Sequence, residues 1–293
     1  MKKLIKIRRS DAPHWVGDGF PTRTVFHYGD LAKEVSPFLL MDYAGPVEFP
    51  PTTQSLGVGE HPHRGFETVT IVYSGEVEHR DSAGGGGKIG PGDIQWMTAA
   101  SGLVHEEKHG REFAKNGGLF ETIQLWVNLP AKDKMTKPRY QTIQDATVPR
   151  VELANGVGSV RVIAGSFSEQ AGEASATGPA KTFSPINLWD VRLNAGRSVD
   201  LRAPKGYTSL VFVLDGDVKL ASGETISSTE LAVLDRDAED YALLAVGRDA
   251  KILVLSGEPL NEPIAAYGPF VMNTQAEIRQ AMIDYEAGKM GSF

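Results

Sequence analysis

Residues 59–79, GEHPHRGFETVTIVYSGEVEH, indicate the fold more clearly than any other part of the chain. Apolar and polar residues alternate through FETVTIVY, and the turn pair Ser74-Gly75 precedes a second alternating run, which together predict a strand, a turn and a return strand. His61 and His63 stand just before the first strand. Because side chains at i and i+2 of a strand point to the same face, the two imidazoles should converge on one point, as two ligands of one metal ion must.

The rest of the chain follows the same pattern of short strands separated by turns, which is typical of β-sandwiches and barrels. Residues 209–220, SLVFVLDGDVKL, resemble TVTIVYSGEVEH, with Gly216 in the place of Gly75. This weak internal repeat predicts an all-β protein of two similar barrels in tandem. We assign residues 1–138 to the first barrel and residues 139–293 to the second.

A short helix is predicted near the end of the chain, in NTQAEIRQAMIDYEAGKM. Thr274 is followed three residues later by Glu277, which is the pattern of a capping box. One helical face carries four apolar residues: Ile278, Ala281, Met282 and Tyr285. We expect this helix to pack on a sheet of the second barrel.

Composition narrows the classes of function. The net charge of −7 argues against a direct nucleic-acid partner. No apolar run reaches the ~20 residues of a membrane-spanning helix, so we expect a cytoplasmic protein without a membrane partner. The chain has no cysteine, so imidazole and carboxylate groups must hold any metal, and these ligands suit iron, manganese, nickel, copper or zinc.

The candidate metal ligands come from two pairs with the same spacing. All seven histidines precede residue 110, so a histidine site can form only in the first barrel. In SGLVHEE, His105 and Glu107 repeat the i, i+2 spacing of His61 and His63, and two such pairs on neighbouring strands would point four ligands inward. Glu67 also has the parity to face inward, and spacing alone leaves it open as the carboxylate ligand. The remaining histidines are interpreted as surface or hydrogen-bonding residues: His14, His27, His79 and His109.

Several longer motifs resemble those of the pirin family, a branch of the cupin superfamily. They are HPHRGFETVTIV, GPGDIQWMTA, GLVHEE, QLWVNLP and GEPLNEPIAAYGPFVMNT. The resemblance implies a bicupin, with two cupin barrels and one divalent metal in the N-terminal barrel. It places the metal ligands on His61, His63, His105 and Glu107, and so favours Glu107 over Glu67. Iron is the metal that it favours, and nickel, manganese, copper, cobalt or zinc are the alternatives.

Some pirins resemble quercetin 2,3-dioxygenases, which implies a metal-dependent dioxygenase that cleaves flavonols such as quercetin and releases carbon monoxide. Glu107 would then be both a ligand and the catalytic base, and the partners would be a flavonol-like substrate and dioxygen. Other pirins resemble non-enzymatic, iron-binding regulators that respond to redox state and bind a protein partner. Both interpretations need the same four ligands, so the ligands do not separate them.

Overall fold

The structure, a computed structural model, describes residues 1–169 and 175–293, and most of these form short antiparallel strands. The strands in chain order are β1 (Leu4–Arg9), β2 (His14–Val16), β3 (Phe20–His27), β4 (Phe38–Phe49), β5 (Gly57–His63), β6 (Phe66–Ser74), β7 (Val77–Asp81), β8 (Gly86–Ile89), β9 (Ile94–Thr98), β10 (Leu103–His109), β11 (Gly118–Asn128), β12 (Arg139–Ile143), β13 (Arg150–Leu153), β14 (Gly158–Ala164), β15 (Ser166–Phe167), β16 (Ala176–Thr177), β17 (Ile186–Leu193), β18 (Ser198–Arg202), β19 (Thr208–Asp215), β20 (Asp217–Leu220), β21 (Thr225–Ser227), β22 (Glu230–Leu234), β23 (Asp240–Ala245), β24 (Ala250–Gly257), β25 (Ala265–Tyr267) and β26 (Phe270–Met272). The helices are α1 (Tyr28–Val35), α2 (Arg111–Asn116) and α3 (Gln275–Glu286), with 3₁₀ turns at Ala131–Asp133, Asp145–Thr147 and Ala154–Gly156.

The strands form two compact units, and neither is one continuous piece of chain. The histidine unit comprises Asp11–Ala32, Phe38–Asp145 and Asn261–Phe293. The apolar unit comprises Met1–Ser10, Lys33–Pro37 and Ala146–Leu260. A single cut between residues 138 and 139, as the sequence suggests, does not describe these units, because each end of the chain lies in the unit opposite to the one that such a cut assigns.

The histidine unit contains two facing sheets. Its seven-stranded sheet has the order β12-β9-β6-β11-β4-β3-β2, and its four-stranded sheet has the order β5-β10-β7-β8. The predicted strand, turn and return strand are β6, Gly75 and β7, but β6 pairs with β9 and β11 whereas β7 pairs with β8 and β10, so the turn carries the chain from one sheet to the other. Gly75 has a φ of +86°, which favours glycine. A Cβ at this position would lie 2.6 Å from the ring of Phe120.

The apolar unit repeats this arrangement strand for strand. Its sheets have the orders β1-β22-β19-β24-β17-β14-β13 and β18-β23-β20-β21, and Gly216, with φ of +89°, turns β19 into β20 as Gly75 turns β6 into β7. The internal repeat is therefore confirmed. Strand β1 pairs with β22 in the place that β12 occupies beside β9, so the start of the chain supplies the edge strand of the apolar unit.

Helix α3 forms where the capping box predicts it, with the Thr274 side chain and the Glu277 side chain each accepting from the other residue's backbone N–H. It packs within the histidine unit, where Ile278 and Ala281 share an apolar cluster with Val104 of β10. The predicted buried face is partly wrong. Met282 and Tyr285 are exposed, and Asp284 is buried instead; an ion pair with a buried arginine stabilises this carboxylate (see Discussion).

Among the described residues, every helix is too short or too polar to cross a lipid bilayer.

Candidate metal centre

Strands β5 and β10 bring three of the predicted ligands together. In their antiparallel pairing, His61 lies directly opposite His105, and His63 lies opposite Leu103. Opposite and diagonal neighbours on a pair of strands share one face of the sheet. His63 is therefore a diagonal neighbour of His105, and all three imidazoles reach the same side of the four-stranded sheet.

The three rings are close enough to share one ion. Their centroids are 4.2 Å apart for His61 and His105, 4.8 Å for His63 and His105, and 4.8 Å for His61 and His63. One ring nitrogen from each histidine lies within 4.8 Å of the other two.

Hydrogen bonds orient the first two rings. His61 Nδ1 lies 2.7 Å from the carbonyl oxygen of Gly59, and His63 Nδ1 lies 3.4 Å from that of Pro269, a long contact. An N–H that donates to a carbonyl fixes the tautomer and leaves the other nitrogen as a ligand. In His105 the Nε2 atom is buried and finds no partner among the described residues.

The electrostatics favour neutral imidazoles. Burial, assisted by the neighbouring His61, lowers the pKa of His63 well below its ordinary value. Burial, assisted by His63, does the same for the pKa of His105. A metal binds the deprotonated nitrogen, so these two rings need to lose no proton at neutral pH. The donor set and the unpartnered Nε2 atom of His105 together fit a divalent transition metal.

Glu107 lies beside this histidine triad. It faces His79 across the β7–β10 pairing, and its ligand atom lies within 4.8 Å of ring nitrogens of His79 and His105. Its carboxylate is tied to uncharged donors: Oε1 accepts from Gln95 Nε2 at 2.9 Å, and Oε2 accepts from Gln124 Nε2 at 3.2 Å. Thr70 Oγ1 lies 3.1 Å from Oε1, but its one hydroxyl hydrogen is shared with the closer Gln124 Oε1 at 2.6 Å. His105 therefore belongs to both groups, the triad with His61 and His63 and the cluster with His79 and Glu107. The role of Glu107 as the fourth ligand is a proposal.

Glu67 is directed elsewhere. Its Oε1 accepts from Thr98 Oγ1 at 2.6 Å and lies 3.7 Å from Arg139. Thr70 is three positions from Glu67 on β6 and contacts Glu107, and residues three apart on a strand lie on opposite faces. Burial raises the pKa of Glu67 to about 7, against the opposing effects of the Thr98 hydrogen bond and Arg139.

The four remaining histidines divide into two kinds. His14 is exposed and His27 is half-buried. His109 is buried, with Nε2 donating to the Gly19 carbonyl at 2.7 Å. His79 is buried too, so His79 and His109 are hydrogen-bonding rather than surface residues, which is one of the two roles that the sequence interpretation allowed.

Sequence reasoning missed the position of His79, whose ring lies 5.1 Å from that of His105 and is stacked on Tyr140 at 4.9 Å. A signal was present. His79 and Asp81 have the i, i+2 spacing of the two candidate ligand pairs. The argument applied to those pairs would have predicted that both of these side chains point into the barrel as well.

A small cavity of about 50 Å³ adjoins Glu107. Its apolar wall includes Phe20, Ala44 and Val58, and its polar wall includes Thr70 and Gln124. A space of this size holds water molecules or dioxygen but is well below the ~300 Å³ of a pocket for a drug-sized ligand.

Two barrels of this topology in one chain, with a histidine cluster in one of them, define a bicupin. The family model described as Pirin matches residues 19–127, and the model described as Pirin C-terminal cupin domain matches residues 188–291. The chain belongs to the pirin family, and its fold is the all-β pair of cupin barrels with a short C-terminal helix that the sequence predicts.

Relatives match along nearly the whole chain. A Pseudomonas aeruginosa protein named "putative quercetin 2,3-dioxygenase" is 55% identical over 289 residues, which cover 99% of this chain and 98% of the relative. Human pirin is 37% identical over 269 residues, covering 88% of this chain and 84% of its own. A crystal structure of quercetin 2,3-dioxygenase from Acinetobacter baumannii matches with a TM-score of 0.94 and 51% identity, covering 100% of this chain and 99% of that one.

Proposed function

We propose that this pirin is a metal-dependent dioxygenase that cleaves flavonols such as quercetin and releases carbon monoxide. The observation that supports it most is the convergence of three imidazoles beside a buried carboxylate. The relatives named as quercetin dioxygenases add the substrate class.

The proposed ligands of one divalent metal are His61, His63, His105 and Glu107. Iron is the favoured ion, with nickel, manganese, copper, cobalt and zinc as alternatives. Such an ion, when bound, supplies Lewis acidity that lowers the pKa of a flavonol hydroxyl, and open coordination positions for substrate and dioxygen.

Glu107 is the proposed catalytic base. Gln95 and Gln124 donate to its two oxygens, which fixes the position of the carboxylate. A flavonol hydroxyl beside the triad would transfer its proton to a Glu107 oxygen, and the Gln95 and Gln124 amides would hold the carboxylate in place.

The partly buried Trp126, backed by the fully buried Phe66, offers an aromatic surface for a flat substrate. The rings of Phe66 and Trp126 are 4.3 Å apart, and each lies about 5 Å from the ring of His63, at 5.1 and 5.3 Å. Since the cavity beside Glu107 is too small for a flavonol, we propose that the substrate approaches from the side of His61, which is only partly buried whereas His63 and His105 are buried.

The test is flavonol turnover by one metal-analysed preparation, with and without oxygen. Loss of the flavonol absorbance band, oxygen uptake and headspace carbon monoxide should appear together and only in air. His63→Ala should abolish all three, and His14→Ala, which alters an exposed histidine, should leave them unchanged. No oxygen uptake with several flavonols, after loading with each candidate metal in turn, would contradict the enzyme. The alternative would then be the iron-binding regulator with a protein partner.

A further inference from the structure

Asp81 begins a buried series of side-chain contacts that runs through His79 to His105, and its carboxylate accepts hydrogen bonds. Its Oδ1 accepts from the backbone N–H groups of Ala83 at 2.8 Å and Gly85 at 2.9 Å. Its Oδ2 lies 3.2 Å from His79 Nε2, and both side chains are almost completely buried. An ionised carboxylate only accepts hydrogen bonds, so Nε2 of His79 carries the ring hydrogen.

A second, independent contact assigns the same tautomer to His79. Gln95 donates from Nε2 to Glu107, and its Oε1 accepts from the Tyr140 hydroxyl at 3.1 Å, so its amide orientation is fixed at both ends. The other hydrogen of Gln95 Nε2 then faces His79 Nδ1, 3.2 Å away. Nδ1 of His79 must therefore be the bare, accepting nitrogen.

His105 completes the chain. Its Nδ1 lies 3.2 Å from the same Nδ1 atom of His79. Two bare nitrogens would repel each other at this distance, so His105 Nδ1 carries a hydrogen and its Nε2 is bare. The single lone pair of His79 Nδ1 is then shared between the N–H groups of His105 and Gln95. Nε2 is also the buried atom of His105 that has no partner among the described residues.

We infer that Asp81 and His79 are positioning residues, which hold His105 in the tautomer whose Nε2 lone pair is available to a metal. The role in metal binding rests on the proposed function, whereas the tautomer itself does not. Carboxylate and carbonyl groups commonly orient metal-binding histidines in this way. Here a second imidazole stands between the carboxylate and the ligand.

An alternative role for these residues is to bind a second metal ion, because ligand atoms of His79, His105 and Glu107 also lie within 4.8 Å of one another. That position would need bare nitrogens on both rings where they face each other. It would also displace the Gln95 N–H that now lies between His79 and Glu107. The hydrogen-bond geometry therefore favours positioning.

The primary test is ¹⁵N NMR of the imidazoles in the metal-free protein. We expect His79 to be protonated at Nε2 and His105 at Nδ1. In Asp81→Asn, the amide oxygen should still accept the hydrogen bonds from the backbone N–H groups of Ala83 and Gly85. The new NH₂ group should then donate to His79 Nε2. Both histidines should then change tautomer, and a wild-type His105 protonated at Nε2 would overturn the inference.

Zinc affinity, measured by chelator competition, tests the consequence for the ligand set. Asp81→Asn and His79→Leu should weaken binding about 10–100-fold. His79→Asn, whose amide oxygen can replace the Nδ1 acceptor, should recover much of the loss, and His14→Asn should match wild type.

Equal losses in His79→Leu and His79→Asn would show a merely structural role. A second zinc equivalent that His79→Leu removes would show the second metal position. If the wild type binds no zinc while the tautomers are as expected, the proposed metal centre fails and the hydrogen-bond chain stands.

Discussion

Arg64 donates from Nη1 to Oδ2 of Asp284 at 2.9 Å, although 220 residues separate them in the chain. Arg64 also donates from Nε to the Ser101 carbonyl at 2.7 Å. Because Arg64 directly follows His63, the pair joins helix α3 to the strand end that carries a proposed ligand. The backbone carbonyl of Pro269, in the same C-terminal segment, lies beside His63 Nδ1.

Asp284→Ala should loosen this attachment. Lys289, Arg64 and Gln280 all donate to the carboxylate and hold the pKa of Asp284 well below its usual range, so removing it leaves a buried guanidinium without its counter-ion. Breaking such a pair costs about 3 kcal/mol, and hydrogen exchange of the α3 amides should accelerate accordingly. Glu286→Ala, at an exposed position of the same helix, is the control. Equal effects of the two substitutions would contradict the role of the pair.

The purified protein should hold one tightly bound transition metal per chain. In the apolar unit, Leu201 faces Tyr241 across β18 and β23 as His61 faces His105 across β5 and β10. Both replacements are buried in the apolar core, and a hydrocarbon side chain and a phenol are not ordinary ligands for these ions. Elemental analysis that finds two tightly bound metals per chain would refute this prediction.

Glu107→Gln should weaken metal retention by at least about tenfold and abolish turnover, because it removes the charge and the proton acceptor while nearly preserving shape. Glu67→Gln is the matched control, since Glu67 is equally buried but faces Thr98 and Arg139. Dialysis against a chelator followed by metal analysis compares the two. Metal loss in Glu67→Gln with retention in Glu107→Gln would reverse the assignment of the carboxylate ligand.

Glu67 should also make stability depend on pH. Its pKa is raised from an ordinary value of 4.5 to about 7, chiefly by burial. Between these values the folded protein retains a proton that the unfolded chain releases, so Glu67 lowers stability as pH rises through this window. Glu67→Gln should match wild type near about pH 5 and be more stable by about 2 kcal/mol near about pH 8.

Urea unfolding at a series of pH values measures this difference. Glu48→Gln, at an exposed position of the same unit, should show no such divergence from wild type. A Glu67→Gln variant whose stability differs from wild type by the same amount at every pH would contradict the raised pKa.

Local spacing in the sequence determined much of the site. Alternation predicted strands β6 and β11, Ser74-Gly75 predicted the turn between β6 and β7, and Thr274 with Glu277 predicted the start of α3. The i, i+2 pairs predicted two candidate ligands on one face of each strand, because the side-chain period of a strand is a property of the backbone itself. The pirin motifs supplied the fold family and the four ligands to test.

Only the tertiary structure decided which distant segments meet. Strand β1 belongs to the apolar unit and residues 261–293 to the histidine unit. An edge strand can pair with any open sheet edge, and an apolar helix face can pack on any exposed apolar surface, so the sequence of either segment does not specify its partner. His79 and Asp81 became part of the site because β7 pairs with β10. Asp284 could be buried because Arg64, remote in sequence, neutralises it. Strand pairing and the burial of charge depend on partners that are tens to hundreds of residues away, and local periodicity carries no information about them.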